Sequence, residues 1–316
     1  MLKTALLSVQ NQDFTEIEII IIDDYSEDGS VKLIKELMSE DPRIVFLQND
    51  KNRGALYTKL KGILNAKGKY AMLLDIDDLY AVEFAFSFLY EEIESKDLDI
   101  LGFSSIEGGL NNNNEFHKHS LHNYFETPII IQPELSKRSY IKDKNGVAVV
   151  GLRDVIWCYI YKTKFFQNVI KEIDDKYLNR IINNMDDIFV YFILVKKAKK
   201  LKHIKKIFYI TIQENNNNQL MSSFKKKKFN FSNIYGCWDC ISSYIEFLLI
   251  KSDNNYEDKK VASFAMEIFF LNHKCRRNML IREEAIKVCK LFLENEYIEK
   301  RVKDRINSFL IEANAK

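Results

Sequence analysis

The chain lacks the features that mark membrane-spanning and secreted proteins. No segment reaches about 18 uninterrupted apolar residues, the length that predicts a membrane-spanning helix. The segment from Met1 to Gln10 has neither the apolar core nor the small-residue cleavage site of a signal peptide. The formal net charge of +2 is too small to indicate a nucleic-acid partner, and none is predicted. These absences favour a cytoplasmic globular protein.

The chain also lacks the regularly spaced cysteines of a disulfide-stabilised protein. Its five cysteines are odd in number and follow no framework spacing. Cys237 and Cys240 form a CxxC, but no second pair follows at the spacing of a zinc site. We interpret them as two residues on one helix. The pattern indicates reduced thiols in a reducing compartment, which agrees with a cytoplasmic location.

The first third of the chain alternates short apolar runs with amphipathic segments. Residues 17–24 are β-branched and continuous, which is typical of a strand buried on both faces of a parallel sheet. Alternation at this spacing predicts an α/β fold with a Rossmann-like, mostly parallel sheet flanked by helices. The predicted strands are residues 17–24, 44–47, 70–74 and 99–104, and the predicted helices are residues 31–38, 55–66 and 84–93.

Two acidic segments follow predicted strands directly. Asp23 and Asp24 end the first strand, and residues 75–78 (DIDD) follow the third. In a doubly wound sheet, ligands bind beyond the carboxyl ends of the strands. Both segments are therefore expected at one edge of the sheet, where they form a candidate site.

Carboxylates at the end of a buried strand need a neutralising partner. A hard divalent cation with oxygen ligands, Mn²⁺ or Mg²⁺, fits Asp75 and Asp77, because such ions need only one or two protein carboxylates when substrate phosphates supply further oxygens. The alternative is an acidic turn in which Asp78 caps the next helix.

Four segments resemble the family-2 glycosyltransferases, in the right order and at plausible spacing. They are SVQNQDFTEIEIIIIDDYSEDGS, NDKNRGALYTKLKGILNAKGKYAMLLDIDD, WCYIYKTKFF and NNMDDIFVYFI, and together they cover most of residues 5–212. The resemblance implies a GT-A fold. Its nucleotide-sugar-binding half would be residues 1–106 and its acceptor-binding half residues 107–213, with a helical C-terminal extension over residues 214–316.

The resemblance implies a role for each matched residue. Asp24 matches the residue that hydrogen-bonds the base, commonly uracil, and Asp77 matches the acid that ligates the metal on the diphosphate. Asp187 matches the base that deprotonates the acceptor hydroxyl. The residues implied in nucleotide binding are Asp23, Asp24, Ser26, Lys59 and Asp75, those implied in metal binding are Asp77 and Asp75, and those implied on the acceptor side are Trp157 and Asp186.

The implied activity is metal-dependent transfer of a sugar, with inversion, from a nucleoside-diphosphate donor such as a UDP-sugar to a glycan, lipid or protein acceptor. For Asp187 the residues alone leave a second interpretation open, an exposed acid early in an amphipathic helix. The family often has Ala-Arg-Asn where this chain has Tyr57-Thr58-Lys59. Lys59 keeps the positive charge of that arginine but not its bidentate guanidinium group.

The chain departs from the family pattern at its start. The family begins with an apolar strand and an aromatic-Asn turn, whereas residues 2–9 are predicted to form the helix that follows them. This departure keeps open a second hypothesis, an inactive or truncated GT-A domain that acts as a binding or scaffold protein. A nucleotidyltransferase is a third hypothesis, but no Gly-rich phosphate loop follows Ile22.

Residues outside the matched blocks give weaker signals. Residues 105–127 contain Gly108-Gly109, an asparagine run and three histidines, which predicts a long surface loop. From residue 229 onward the pattern is helical. Aromatic residues near the lysine run of residues 225–228 leave open a contact with a membrane surface, with a simple packed helical extension as the alternative. These aromatic residues are Phe224, Phe229, Phe231 and Trp238.

Overall fold

The computed structural model describes residues 1–110, 116–122, 126–131, 141–142, 148–149, 155–173 and 186–212, and residues 303, 304 and 307. The helices in these segments are α1 (Leu2–Gln10), α2 (Ser30–Glu40), α3 (Ala55–Asn65), α4 (Ala85–Ser95), α5 (Thr163–Glu172) and α6 (Asp186–Lys197). The strands are β1 (Ile19–Asp23), β2 (Ile44–Gln48), β3 (Tyr70–Met72), β4 (Leu79–Tyr80), β5 (Ile100–Leu110), β6 (Phe116–His122), β7 (Ile130–Ile131), β8 (Ile141–Lys142), β9 (Ala148–Val149), β10 (Tyr159–Lys162) and β11 (Lys200–Ile212).

The larger sheet is mixed in strand direction. Its path runs β3-β10-β5-β11-β4, with β6 paired to β5 and β7 paired to β11. Strands β5 and β11 are parallel, whereas β10 is antiparallel to both β3 and β5, and β4 is antiparallel to β11. The predicted α/β class is confirmed, but the strand directions correct the prediction of a mostly parallel sheet. Apolar periodicity indicates which residues are buried, but the direction of a strand depends on the strands with which it pairs. Strand β10 lies far along the chain from β3 and β5, so its direction between them could not be predicted from local sequence.

Strands β1 and β2 form a separate parallel pair, in register from Ile19 opposite Ile44 to Asp23 opposite Gln48. The isoleucines of β1 are partly buried rather than fully buried as predicted. Helix α3 covers one face closely, because a Cβ at Gly62 would lie 3.0 Å from Ile22 Cδ1. Among the described residues β1 has one neighbouring strand, which accounts for the incomplete burial.

The prediction of a loop over residues 105–127 is wrong for residues 105–110 and 116–122. Strand β5 continues to Leu110, and β6 pairs with it antiparallel, from Ser105 opposite His122 to Leu110 opposite Phe116. The register shifts between Glu107 and Gly108, and glycine within a strand commonly marks such an irregularity. The segment escaped prediction because polar residues are compatible with a strand that is solvated on one face. Strand β5 also crosses the predicted division at residue 106.

The core lies between the larger sheet and helices α3 to α6. On α3 the buried side chains are Leu56, Leu60 and Ile63, as their helical spacing predicts, whereas Leu64 remains 43% exposed. These side chains belong to the same buried cluster as Leu89 and Ile93 of α4 and Phe103 of β5. The core therefore includes α3, and the loop that precedes this helix carries part of the candidate site.

No helix within the described segments combines the length and apolar character needed to cross a membrane. The predicted C-terminal extension, residues 214–316, lies outside the described residues except for positions 303, 304 and 307. Cys237, Cys240 and the aromatic residues near the lysine run also lie outside the described residues.

Candidate active site

The Asp23 carboxylate organises the turn after β1. It is buried and accepts hydrogen bonds from the Ser26 backbone N–H and from Gln48 Nε2, both at 3.0 Å. Burial raises the pKa of Asp23, but the hydrogen bonds from Ser26, Gln48 and the Tyr25 backbone together hold it below its ordinary value. Tyr25 has a φ of 67°, a left-handed conformation that is uncommon for a residue with a Cβ, and it is 50% exposed. The predicted site residues Asp23 and Ser26 are therefore parts of one closed turn.

The Asp24 carboxylate is bonded to the loop before α3. Its Oδ1 accepts from Asn49 Nδ2 at 2.8 Å and from the Arg53 backbone N–H at 2.7 Å. Its Oδ2 accepts from the Gly54 backbone N–H at 2.8 Å. Gly54 has a φ of 85°, a conformation that favours glycine, and it directly precedes α3. Three of the roughly four acceptor positions of this carboxylate are thus used within the protein.

Helix α3 connects the two acidic segments. Asn49 Nδ2 also donates to Thr58 Oγ1 at 2.9 Å, which ties the Asp24 network to the first turns of the helix. One residue further on, Lys59 Nζ lies 3.1 Å from Asp75 Oδ1. Asp24 and Asp75 are therefore joined through a short chain of contacts, as expected for two acidic segments at one edge.

Residues 75–78 form a tight turn between β3 and β4. The Asp78 backbone N–H donates to the Asp75 carbonyl oxygen at 3.0 Å. Asp75 and Asp77 are partly exposed, whereas Asp78 is buried and Ile76 is 53% exposed. The turn therefore presents two of its three carboxylates toward solvent and directs the third into the protein.

Asp78 is held by β11. Its Oδ2 accepts from the Tyr209 hydroxyl at 2.9 Å, and its Oδ1 accepts from the Ile212 backbone N–H at 3.1 Å. Burial raises the pKa of the Asp78 carboxyl to about 8, and the nearby charges of Asp77 and Asp75 add to this effect. A carboxyl that is neutral near pH 7 is a poor ligand for a hard cation. The alternative in which Asp78 caps the next helix is wrong, because β4 follows it and α4 has no side-chain cap.

Asp75 and Asp77 suit Mn²⁺ or Mg²⁺ only as part of a ligand set. Across the residues that the structure describes, no group of three or more histidine, cysteine, aspartate or glutamate side chains could hold a metal ion. Mg²⁺-like ions commonly take one or two carboxylates together with waters and substrate phosphates. Two carboxylates on one turn meet that requirement, and Lys59 beside Asp75 adds positive charge for an anionic ligand.

Trp157 lies beside the turn, in contact with a residue that the sequence analysis missed. The Trp157 ring is buried and stacks on the Tyr209 ring, with centroids 4.6 Å apart and planes at 29°. The Tyr209 hydroxyl in turn accepts from the Asp75 backbone N–H at 3.2 Å. No local pattern marks Tyr209, because its partners in the turn lie 131 and 134 residues away in sequence.

The predicted catalytic base lies at the start of a helix. Asp186 and Asp187 occupy the first turn of α6. Their side chains lie outside the described part of the chain. The roles of Asp187 as base and of Asp186 and Trp157 on the acceptor side stay predictions.

The fold is that of a GT-A protein. The structure of residues 1–349 of S. aureus TarS in complex with UDP-GlcNAc matches with a TM-score of 0.67, covering 99% of this chain and 85% of that chain at 14% identity. At this level of identity the match establishes the fold and nothing more. The predicted GT-A fold, with helices flanking the sheet, is therefore confirmed.

The chain belongs to glycosyl transferase family 2, because the model of that family matches residues 1–160. Glycosyltransferase GlyG of Streptococcus pneumoniae is 34% identical over 93 residues, which are 29% of this chain and 31% of that protein. The GalNAc(5)-diNAcBac-PP-undecaprenol beta-1,3-glucosyltransferase of Campylobacter jejuni is 30% identical over 177 residues, which are 52% of this chain and 57% of that protein. The matches thus span about a third and just over half of these relatives' lengths. The resemblance drawn from the sequence motifs is confirmed at the level of the family.

Proposed function

We propose that this protein transfers a sugar from a UDP-sugar to an acceptor hydroxyl, with Mn²⁺ or Mg²⁺ held by Asp75 and Asp77. The observation that carries the proposal is that α3 connects both acidic segments. Gly54, directly before the helix, donates its backbone N–H to Asp24, and Lys59 within the helix pairs with Asp75. The Asp24 carboxylate, the Lys59 ammonium group and the carboxylates of Asp75 and Asp77 are thus connected through one helix and the segments beside it. The complex of S. aureus TarS with UDP-GlcNAc supports this choice of donor.

Each group has a distinct task in the proposed reaction. When a cation is bound, it neutralises charge on the departing nucleoside diphosphate. Lys59 shifts from Asp75 toward the diphosphate, and the remaining acceptor position of Asp24 receives an N–H of the uracil base. Asp187 deprotonates the acceptor hydroxyl as it attacks the anomeric carbon from the opposite side, which gives inversion in a single displacement.

A lipid-linked glycan is the first acceptor that we would test. The name of the C. jejuni relative specifies a PP-undecaprenol substrate. Trp157 and Asp186 are the residues proposed for the acceptor side. A contact of the C-terminal region with a membrane surface would bring such an acceptor to the site.

A second candidate is a GT-A domain that binds a partner without catalysis. The incomplete burial of the β1 isoleucines favours it, because a donor pocket built beside a loosely covered strand is less rigid. The retained carboxylates at residues 75 and 77 favour the first candidate. A nucleotidyltransferase would be recognised by its product, since it releases pyrophosphate rather than a nucleoside diphosphate.

The test is calorimetric titration of the full chain with UDP in the presence of Mn²⁺, repeated with EDTA. The comparison variants are Asp77→Asn and the control Asp97→Asn, which removes an exposed aspartate in the turn between α4 and β5. We expect micromolar, metal-dependent binding by the wild type and the control, and loss of metal-dependent binding in Asp77→Asn.

The outcomes separate the candidates. Metal-dependent binding followed by UDP release from UDP-sugars, with an acceptor supplied, supports the transferase. Binding of no nucleotide among UDP, GDP and TDP at any metal concentration would overturn it in favour of the non-catalytic domain. Equal binding by Asp77→Asn and the wild type would remove Asp77 from the metal site.

A further inference from the structure

The Tyr209 hydroxyl lies between the two ends of the turn formed by residues 75–78. It accepts a hydrogen bond from the Asp75 backbone N–H at 3.2 Å and donates one to Asp78 Oδ2 at 2.9 Å. Tyr209 is fully buried, so water does not compete for either bond. One oxygen atom thus ties the first and the last residue of the turn to the same point of β11.

The strand that carries Tyr209 adds a second attachment. Strand β11 pairs with β4, with Tyr209 opposite Tyr80, and its Ile212 backbone N–H donates to Asp78 Oδ1 at 3.1 Å. The turn is therefore bound to β11 at the Asp75 amide, at both oxygens of Asp78 and at the strand that follows. Asp75 and Asp77 are the partly exposed carboxylates of the turn, whereas the Asp78 carboxylate is directed to β11.

Packing fixes the orientation of the Tyr209 ring. The Trp157 ring stacks on it with centroids 4.6 Å apart, and Tyr80 meets it edge to face with centroids 5.8 Å apart. A ring held on two sides in a buried site keeps its hydroxyl at one position. The position of the hydroxyl is thus determined by the core and not by the turn itself.

We propose that Tyr209 is a positioning residue of the donor site, whose hydroxyl holds residues 75–78 in the shape that presents Asp75 and Asp77 to a cation and a diphosphate. The proposal rests on the proposed function for its ligand and on the hydrogen bonds above for its geometry. Asp75 and Asp77 place two carboxylates of like charge two residues apart, and an unrestrained turn would spread them apart. A turn fixed before the ligand arrives avoids the free-energy cost of ordering it during binding.

The variants Tyr209→Phe and Tyr80→Phe separate positioning from packing. Both remove one hydroxyl from the same aromatic cluster. Within the described segments the Tyr80 hydroxyl donates to the Leu73 carbonyl oxygen, at 3.5 Å, and makes no hydrogen bond to residues 75–78. If Tyr209 acts only through packing, the two variants behave alike. A third variant, Asp78→Asn, keeps the Tyr209 hydroxyl and removes one of the two oxygens that accept from β11.

The first measurement is hydrogen–deuterium exchange at the Asp75 backbone amide, which needs no ligand. We expect at least tenfold faster exchange in Tyr209→Phe and in Asp78→Asn, and wild-type exchange in Tyr80→Phe. Unchanged exchange in Tyr209→Phe overturns the proposal. If Tyr209→Phe does not fold, exchange of the wild-type Asp75 amide at the rate of an unprotected amide overturns the proposal in the same way.

The second measurement is calorimetric titration with UDP over a range of Mn²⁺ concentrations. We expect Tyr209→Phe to need about tenfold more Mn²⁺ for half-maximal UDP binding than Tyr80→Phe does. Equal requirements in the two variants overturn the positioning role. Absence of UDP binding by the wild type would instead contradict the proposed function, and the exchange measurement would still decide whether Tyr209 holds the turn.

Discussion

Lys59 and Asp75 form an ion pair between α3 and the turn after β3, with Lys59 Nζ 3.1 Å from Asp75 Oδ1 and 3.3 Å from Oδ2. The Lys59 side chain is 17% exposed and that of Asp75 is 33% exposed, so the pair lies at the border of the core. A lysine thus already neutralises one of the two carboxylates predicted to bind a cation. Donor binding must therefore rearrange this pair or use it.

Replacement of Lys59 should affect cation and nucleotide in opposite directions. In Lys59→Gln the Asp75 carboxylate loses its competing cation, so we expect affinity for Mn²⁺ alone to rise by about two- to fivefold, the range of a partly exposed ion pair. Affinity for UDP without metal should fall, because a positive charge near the diphosphate is lost. The control Lys32→Gln removes an exposed lysine from α2. Calorimetry with unchanged Mn²⁺ affinity in Lys59→Gln would show that the pair does not compete with the cation.

Replacement of Asp24 should lower stability as well as donor selectivity. If the amide oxygen in Asp24→Asn keeps the hydrogen bonds from Asn49 and Arg53, the Gly54 N–H faces an NH2 group that cannot accept. We expect the free energy of unfolding to fall by about 1–3 kcal/mol. Urea denaturation measures this change. The matched variant Asn49→Ala removes a donor to Asp24 but keeps the carboxylate. A preference for UDP over GDP that survives in Asn49→Ala and is lost in Asp24→Asn would assign base recognition to Asp24, whereas its survival in both would contradict that role.

Replacement of Asp187 should separate binding from transfer. An asparagine cannot take a proton from the acceptor, so Asp187→Asn should keep UDP affinity and lower the transfer rate by about 10²- to 10⁴-fold. The control Asp97→Asn removes an exposed carboxylate outside the proposed site. Transfer is measured as UDP release in the presence of an acceptor. Wild-type transfer by Asp187→Asn would assign the base to another residue.

The Asp41 carboxylate should make stability depend on pH in the acid range. Hydrogen bonds from Arg43 first, at 2.8 and 3.0 Å, and then from Gln10 at 2.8 Å lower the pKa of Asp41 well below its usual range. Because its pKa in the folded state lies below the unfolded value of about 3.9, the stabilisation is complete above that pH and is lost as pH falls toward the folded pKa. Urea denaturation should find Asp41→Asn less stable than wild type near pH 7, with a smaller difference near pH 3. A difference independent of pH would contradict this assignment.

The sequence predicted what depends on neighbouring residues. Apart from β4, which was not predicted, the strands and helices through α4 begin and end within a few residues of their predicted bounds, because apolar periodicity and turn residues report local conformation and burial. The positions of Asp24 and Asp75 at strand ends follow from the same signal. The sequence did not predict strand β6, because its polar residues are arranged for a solvated face and carry no apolar periodicity.

By itself, then, the sequence determined the α/β class, the family and the order of the two acidic segments, since each of these depends on patterns within short segments of the chain. Only the tertiary structure decided that β10 lies between β3 and β5, that Lys59 neutralises Asp75 and that Asp78 turns inward to β11. Tyr209 shows the reason most plainly. Its hydroxyl reaches Asp75 and Asp78 across 134 and 131 residues, and such a contact exists only after distant strands have paired.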